Sequence, residues 1–212
     1  METDQGIQEE LTVADYDRMQ RSMRDRGWIE TRALLKRGIA HGHVLEVGPG
    51  PGYLGLEWLR LTEGTRLTGL EISPAMREMA QKNSREYGLA DRVEYILGNG
   101  SSMPFPDDNF DAVFTNGSLH EWADPASTFN EMWRALKSGG SLFVSDLRRD
   151  MSVLVRWFLW ITVRPKSMRL GLNTSLNAAY TAKELQDLTR GSRIGNSEVT
   201  TNPFGLVLMA RK

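Results

Sequence analysis

The chain has 212 residues, of which 40% are hydrophobic and 25% charged, enough for one well-packed domain and too few for a second of ordinary size. A formal net charge of −1 gives no global attraction to nucleic acid or anionic lipid, so either would need a local patch. The absence of cysteine excludes disulfides, thiolate metal sites and a cysteine nucleophile, and three histidines offer little for a metal centre.

The elements are predicted in chain order as follows. Residues 1–20 are acidic and lack a basic-then-apolar leader, which points to a cytoplasmic protein. Tyr16, Met19 and Met23, then Trp28, Ile29, Leu34 and Leu35, are spaced as two amphipathic helices broken near Gly27. From there short apolar runs alternate with helical ones. "HVLEV" is a strand, "YLGLEWLRL" a helix and "TRLTGLEI" a strand. "SPAMREMAQKNSREYG" is a helix with Ser73 as cap, Pro74 in its first turn and Gly88 as its stop. "RVEYIL" and "FDAVFT" are the third and fourth strands, and "DPASTFNEMWRAL" is a helix capped by Asp124. "GGSLFVSD" is the fifth strand, and the chain ends in a hairpin turning at Asn202-Pro203.

That order predicts an α/β, Rossmann-like doubly wound sheet of seven strands. It is mostly parallel with helices on both faces, and the C-terminal hairpin adds an antiparallel strand. One domain is expected: N-terminal helices over 1–42, a cofactor-binding core over 43–147, a helical insert over 148–180 and a final helix and hairpin over 181–212.

Ligands of such sheets sit beyond the carboxyl ends of the strands, where this chain places Gly48-Pro49-Gly50-Pro51-Gly52. Two registers compete. Gly50-x-Gly52-x-x-Gly55, with Glu71 about 20 residues on, fits a dinucleotide fingerprint. Read from the strand end, the motif is Glu46-x-Gly48-x-Gly50-x-Gly52, a carboxylate two residues before the turn. In that register the chain resembles the class I S-adenosylmethionine-dependent methyltransferases, over about residues 40–147. "GNGSSMPFPDDNFDAVF", "NGSLHEWADP" and "EMWRALKSGGSLFVSDL" resemble the type 11 branch that includes the ubiquinone and menaquinone biosynthesis enzymes.

The resemblance implies an enzyme with S-adenosylmethionine as cofactor, a small apolar or amphiphilic acceptor and no metal. Gly48, Gly50 and Gly52 would let the backbone approach the methionine part, with Glu46 bonding its ammonium directly or through water. Glu71 would hold the ribose hydroxyls, and Ile72 and Met76 would lie beside the base. Gly98, Asn99, Gly100 and Ser101 would form the adenine turn; Asn99 stands where the family usually has Asp, its carbonyl accepting from the adenine amino group. Asn116, Gly117 and Ser118 would line the methionine side, and Tyr16 would fold over the cofactor carboxylate. His120 is the candidate general base, with Glu121 a weaker one.

The insert is apolar over 151–163, with basic flanks at Arg148, Arg149, Arg164, Lys166 and Arg169. Three readings stand: a buried helix, a mobile lid whose Trp157, Phe158, Trp160 and Tyr180 wall the acceptor pocket, and a peripheral membrane contact through 148–169. Two other functions also stay open, a nicotinamide-dependent oxidoreductase and a non-catalytic cofactor-binding subunit. No nucleic-acid partner is expected, because the fourth strand ends in "TNGS" and no basic face is evident.

Overall fold

A computed structural model describes residues 10–195 and 197–212. The apolar runs become five parallel strands: β1 (His43–Val47), β2 (Arg66–Glu71), β3 (Val93–Leu97), β4 (Phe110–Asn116) and β5 (Leu136–Leu147). The hairpin strands β6 (Glu198–Thr201) and β7 (Gly205–Arg211) complete the sheet in the order β3-β2-β1-β4-β5-β7-β6. β7 runs antiparallel to both β5 and β6. The chain winds outward from β1 to β3 and then returns to β4 on the other side of β1, so the crevice at the switch point opens between the ends of β1 and β4.

Among the described residues, eight α-helices surround the sheet: α1 (Glu10–Asp25), α2 (Thr31–Lys36), α3 (Tyr53–Arg60), α4 (Pro74–Glu86), α5 (Pro125–Ala135), α6 (Val153–Thr162), α7 (Met168–Ala178) and α8 (Ala182–Arg190). Their starts are written in short polar side chains. Ser73 accepts from the Met76 amide at 3.2 Å and Asp124 from the Ser127 amide at 3.0 Å, each followed by proline, while Thr181 and Glu184 form a reciprocal capping box. Each such cap is worth about 1 kcal/mol.

Strand alternation divides the core in two. Leu45 and Val47 of β1 face a cluster with Phe129 and Met132 of α5 and Leu185 of α8. Val44 faces the opposite cluster with Leu34 of α2 and Trp58 and Leu59 of α3. Trp58 is fully buried and donates its indole N–H to the Ile39 carbonyl at 2.7 Å, so its one polar atom is satisfied.

Two expectations are refined. β5 starts at Leu136 rather than Gly139, because the pairing with β4 slips between Phe110 and Ala112. Gly139, at φ +80°, absorbs the extra residues of that bulge. The buried-helix reading of the insert fails: α6 buries none of its residues and α7 buries only Leu176. α7 packs on α1 and on the short turn Leu119–Glu121 after β4. Among the described residues no helix is long and apolar enough to cross a membrane.

Candidate active site

The turn after β1 has left-handed backbone at Gly48 (φ +66°), Gly50 (φ +54°) and Gly52 (φ +85°), a conformation that costs other residues about 1–2 kcal/mol each. Space demands glycine as well. A Cβ on Gly48 would lie 2.8 Å from the Ser118 Cβ, and one on Gly52 would lie 2.5 Å from the Tyr95 hydroxyl. The Gly48 amide donates to the Leu70 carbonyl and the Gly50 amide to Glu71 Oε2, both at 2.9 Å. The turn is therefore fastened to the end of β2.

Glu71 is buried, and its second oxygen accepts from the Ser73 amide at 2.9 Å. Burial pushes its carboxyl above the usual range, against the pull of these amides. It lines a cavity of about 450 Å³ at the carboxyl ends of β1 to β4, a volume suited to one cofactor-sized molecule. Gly48, Gly50, Ile72 and Met76 lie on the same wall; Gly98, Asn99, Gly100 and Ser101 form the far end; Gly117 and Ser118 close the β4 side. Tyr16 of α1 covers the opening, its ring 3.5 Å from where a Gly50 side chain would begin.

Four predicted residues are not on this wall. Glu46 shares its face of β1 with Val44 and so points beneath α3, its Oε2 lying 2.3 Å from where a Gly55 side chain would begin. It is buried, that oxygen has no hydrogen-bond partner, and burial together with the charge of Glu71 pushes its carboxyl up to about 8. Gly52 packs against Tyr95 and Ala80 instead of the cavity. Asn116 turns to β5, where its amide donates to the Ser145 hydroxyl at 2.7 Å. His120 sits one layer behind the wall. Asn99 is in place, but its carbonyl accepts from the amide and hydroxyl of Ser101, at 2.9 and 3.0 Å. The amide N–H₂ is thus the group it has left for a ligand.

His120 is the centre of a small acid–base cluster. Its Nδ1 lies 2.8 Å from Asp146 Oδ1, and its backbone amide donates to Asp146 Oδ2 at 2.9 Å. Nε2 faces Glu121 at 3.9 Å, and Glu121 lines the cavity. Burial pulls the His120 pKa down, but the hydrogen bond and charge of Asp146, with Glu121, more than offset this and hold it above the usual histidine value. Burial likewise raises Glu121 and Tyr16, whose hydroxyl accepts from Gln20 at 3.3 Å.

The predicted acceptor wall is not assembled. Trp157, Phe158 and Trp160 are 61%, 40% and 42% exposed and lie outside the cavity. The hydroxyphenyl of Tyr180 packs half-buried against the core between sheet and α8. The cavity instead gains Val47, Leu70, Trp122, Asp124 and Thr128, which the motif reading passed over. Trp122 follows His120-Glu121 in the quoted "SLHEW" stretch, and that adjacency was the available signal. Among the described residues no group of three metal-ligating side chains comes together.

Comparison with known proteins agrees with this architecture. A family model described as a methyltransferase domain (Methyltransf_11) matches residues 45–144. The demethylmenaquinone methyltransferase of Roseiflexus castenholzii is 29% identical over 153 residues, covering 70% of this chain and 62% of its own. The ubiquinone/menaquinone biosynthesis C-methyltransferase UbiE of Proteus mirabilis is 32% identical over 109 residues, covering 51% of this chain and 43% of its own. The chain thus spans roughly half the length of the curated relatives it matches. A crystal structure of a proposed S-adenosyl-L-methionine-dependent methyltransferase from Methanococcus maripaludis superposes with a TM-score of 0.78. It is 21% identical and covers 96% of this chain and 93% of its own, a likeness of fold. The matched methyltransferase domain, the relatives and the shared fold together make this chain similar to the class I S-adenosylmethionine-dependent methyltransferases, with ubiquinone and menaquinone C-methyltransferases among its relatives.

Proposed function

We propose that this protein transfers a methyl group from S-adenosylmethionine to a small amphiphilic molecule, with an electron-rich ring of the quinol type as the first acceptor to test. One observation carries the reading: a glycine-rich turn and a buried carboxylate, Glu71, stand side by side on the wall of one cavity, joined by the Gly50 amide. The chain's residues fit the cofactor. Glu71 has lone pairs remaining for two hydroxyl donors, Met76 and Ile72 give an apolar wall for a base, and the Gly48–Gly50 backbone leaves room that a Cβ would fill.

When bound, S-adenosylmethionine supplies an electrophilic methyl on a sulfonium. The chain's own contribution is alignment and exclusion of water, which together are worth several kcal/mol. A carbon or hydroxyl acceptor must also lose a proton. The Glu121–His120–Asp146 cluster supports that step: Glu121 reaches the cavity, His120 stands behind it, and Asp146 orients the imidazole. The relatives' names, with a C-methyltransferase and a demethylmenaquinone methyltransferase among them, support a ring-carbon acceptor. A shifted dinucleotide reading finds less support, since the turn starts at Gly48 directly after β1.

Calorimetry with S-adenosylmethionine, S-adenosylhomocysteine and NADH tests the cofactor. Glu71→Ala is expected to weaken S-adenosylmethionine by about 1.5–3 kcal/mol per lost charge-assisted bond at most. Gly50→Val is expected to be worse, because valine at φ +54° distorts the turn. Tight NADH binding with none of S-adenosylmethionine would overturn the assignment. Release of S-adenosylhomocysteine with prenylated and unprenylated hydroquinones then tests the acceptor.

A further inference from the structure

We infer that α6 and the surfaces beside it form a docking face for an anionic lipid bilayer. The apolar side chains are presented rather than packed. Val153 is 80% exposed, Leu154 78% and Trp157 61%; positions 153, 154 and 157 share one helical face. Two other parts of the chain extend the patch. The Phe158 ring lies 6.4 Å from that of Trp28, before α2, and 6.1 Å from that of Phe204, in the β6–β7 turn. Trp28 and Phe204 are each 45% exposed. Folding does not call for such a cluster, and a contiguous exposed apolar patch marks a binding face.

Charge selects the occupant. Residues 151–180 contain Arg156, Arg164, Lys166 and Arg169 and no acidic residue, in a chain of net charge −1. Arg164 and Lys166 lie in the link after α6, and Arg169 stacks on Trp160 at 4.0 Å. Nearby carboxylates are engaged: Asp15 with Ser167, Asp150 with Arg148 and Glu184 with Arg149. A second copy seated by two-fold symmetry would bring this basic rim against itself. An interface of aromatic rings and basic side chains suits the headgroup region of an acidic membrane, with the long stems along the apolar layer. α7 packs on α1 and the Leu119–Glu121 turn, which both border the cavity. Docking would therefore bring the cavity's surroundings to the membrane surface, where an amphiphilic acceptor resides. The inference stands on the surface alone, and its test reads binding rather than turnover.

The experiment is flotation of the full chain with phosphatidylcholine vesicles, with and without phosphatidylglycerol, at 50 and 500 mM salt (about 14 and 4 Å screening lengths). Co-flotation is expected with the anionic vesicles at low salt, and it is expected to fall about tenfold in high salt. The double variants Leu154→Asp/Trp157→Asp and Arg164→Glu/Lys166→Glu are each expected to lose about tenfold in partitioning. Their circular dichroism and melting should stay unchanged, because the residues are exposed. Absence of flotation, or flotation unaffected by both variants, overturns the inference. So does a concentration-dependent dimer in sedimentation that the apolar variant alone abolishes, or capture only by an acidic protein.

Discussion

The carboxyl edge of the sheet and the α6–α7 insert both carry many large apolar residues and end in opposite states. At the edge, Leu45, Val113, Phe114 and Val144 are completely buried, and the glycine turn is fastened by amide bonds of 2.9 Å. In the insert, two helices bury a single side chain, Leu176. Burial explains these large residues at the edge, though not Leu97 at the end of β3. It explains almost none in the insert, whose composition must answer to something other than folding. Geometry at the edge is held by bonds within the fold, whereas the insert's apolar surface is left presented.

The sharpest break of that contrast is a tryptophan on the buried side. Trp58→Ala is expected to cost about 3–5 kcal/mol in urea unfolding, because it empties the α3 side of the core and leaves the Ile39 carbonyl without its donor. A cost under 1 kcal/mol would mean that the edge is no better packed than the insert.

Next in size is the acid–base cluster. His120→Ala is expected to lower the rate by roughly 10²–10⁴ while sparing cofactor affinity. The base form is the neutral imidazole, so the wild-type rate should rise with pH through a midpoint above the usual histidine value, as Asp146 holds the proton on. Asp146→Asn should move that midpoint down. An unshifted profile together with a loss below tenfold would leave His120 a shaping residue of the turn.

Much of this edge was legible in the sequence for physical reasons. Proline after Ser73 and Asp124 marks helix starts in any context, and glycine every second residue after β1 announces left-handed backbone. Glu46 lies off the cavity wall, which a motif read as a line of contacts does not reveal. Alternation along the strand already put it on the side of Val44, away from Val47, which does line the cavity. Asn116 hides for a related reason: its partner, Ser145, is remote in sequence and adjacent only through β4–β5 pairing. The insert was least legible, since an apolar run has the same composition whether it is buried or presented.

The burial of Glu46 has a smaller consequence. Its carboxyl is raised from the ordinary 4.5 to about 8 in the folded chain, so the folded state holds a proton that the unfolded state releases. The stabilisation this gives is full below about 4.5 and is lost as pH rises through about 8. Glu46→Gln should flatten that slope, raising stability relative to wild type at pH 9 and changing it least at pH 5. Parallel pH profiles for the two proteins in urea melts would show that the group is ionised in the fold.

The smallest effect is the most telling. Trp157 has the same side chain as Trp58 but is 61% exposed, and among the described residues its ring stacks on no other. Trp157→Ala should therefore change unfolding free energy by no more than about 0.5 kcal/mol, the range of surface substitutions. Phe158, which touches Trp28 and Phe204, should cost more when cut to alanine, since an aromatic pair is worth about 0.5–1.5 kcal/mol. The three values should fall in the order Trp58, Phe158, Trp157. A loss near 3 kcal/mol at Trp157 would mean that α6 is packed in solution, and the contrast between the two regions would collapse. A near-zero loss isolates the tryptophan from stability altogether, so that any change it makes in vesicle partitioning is a property of the surface and not of the fold.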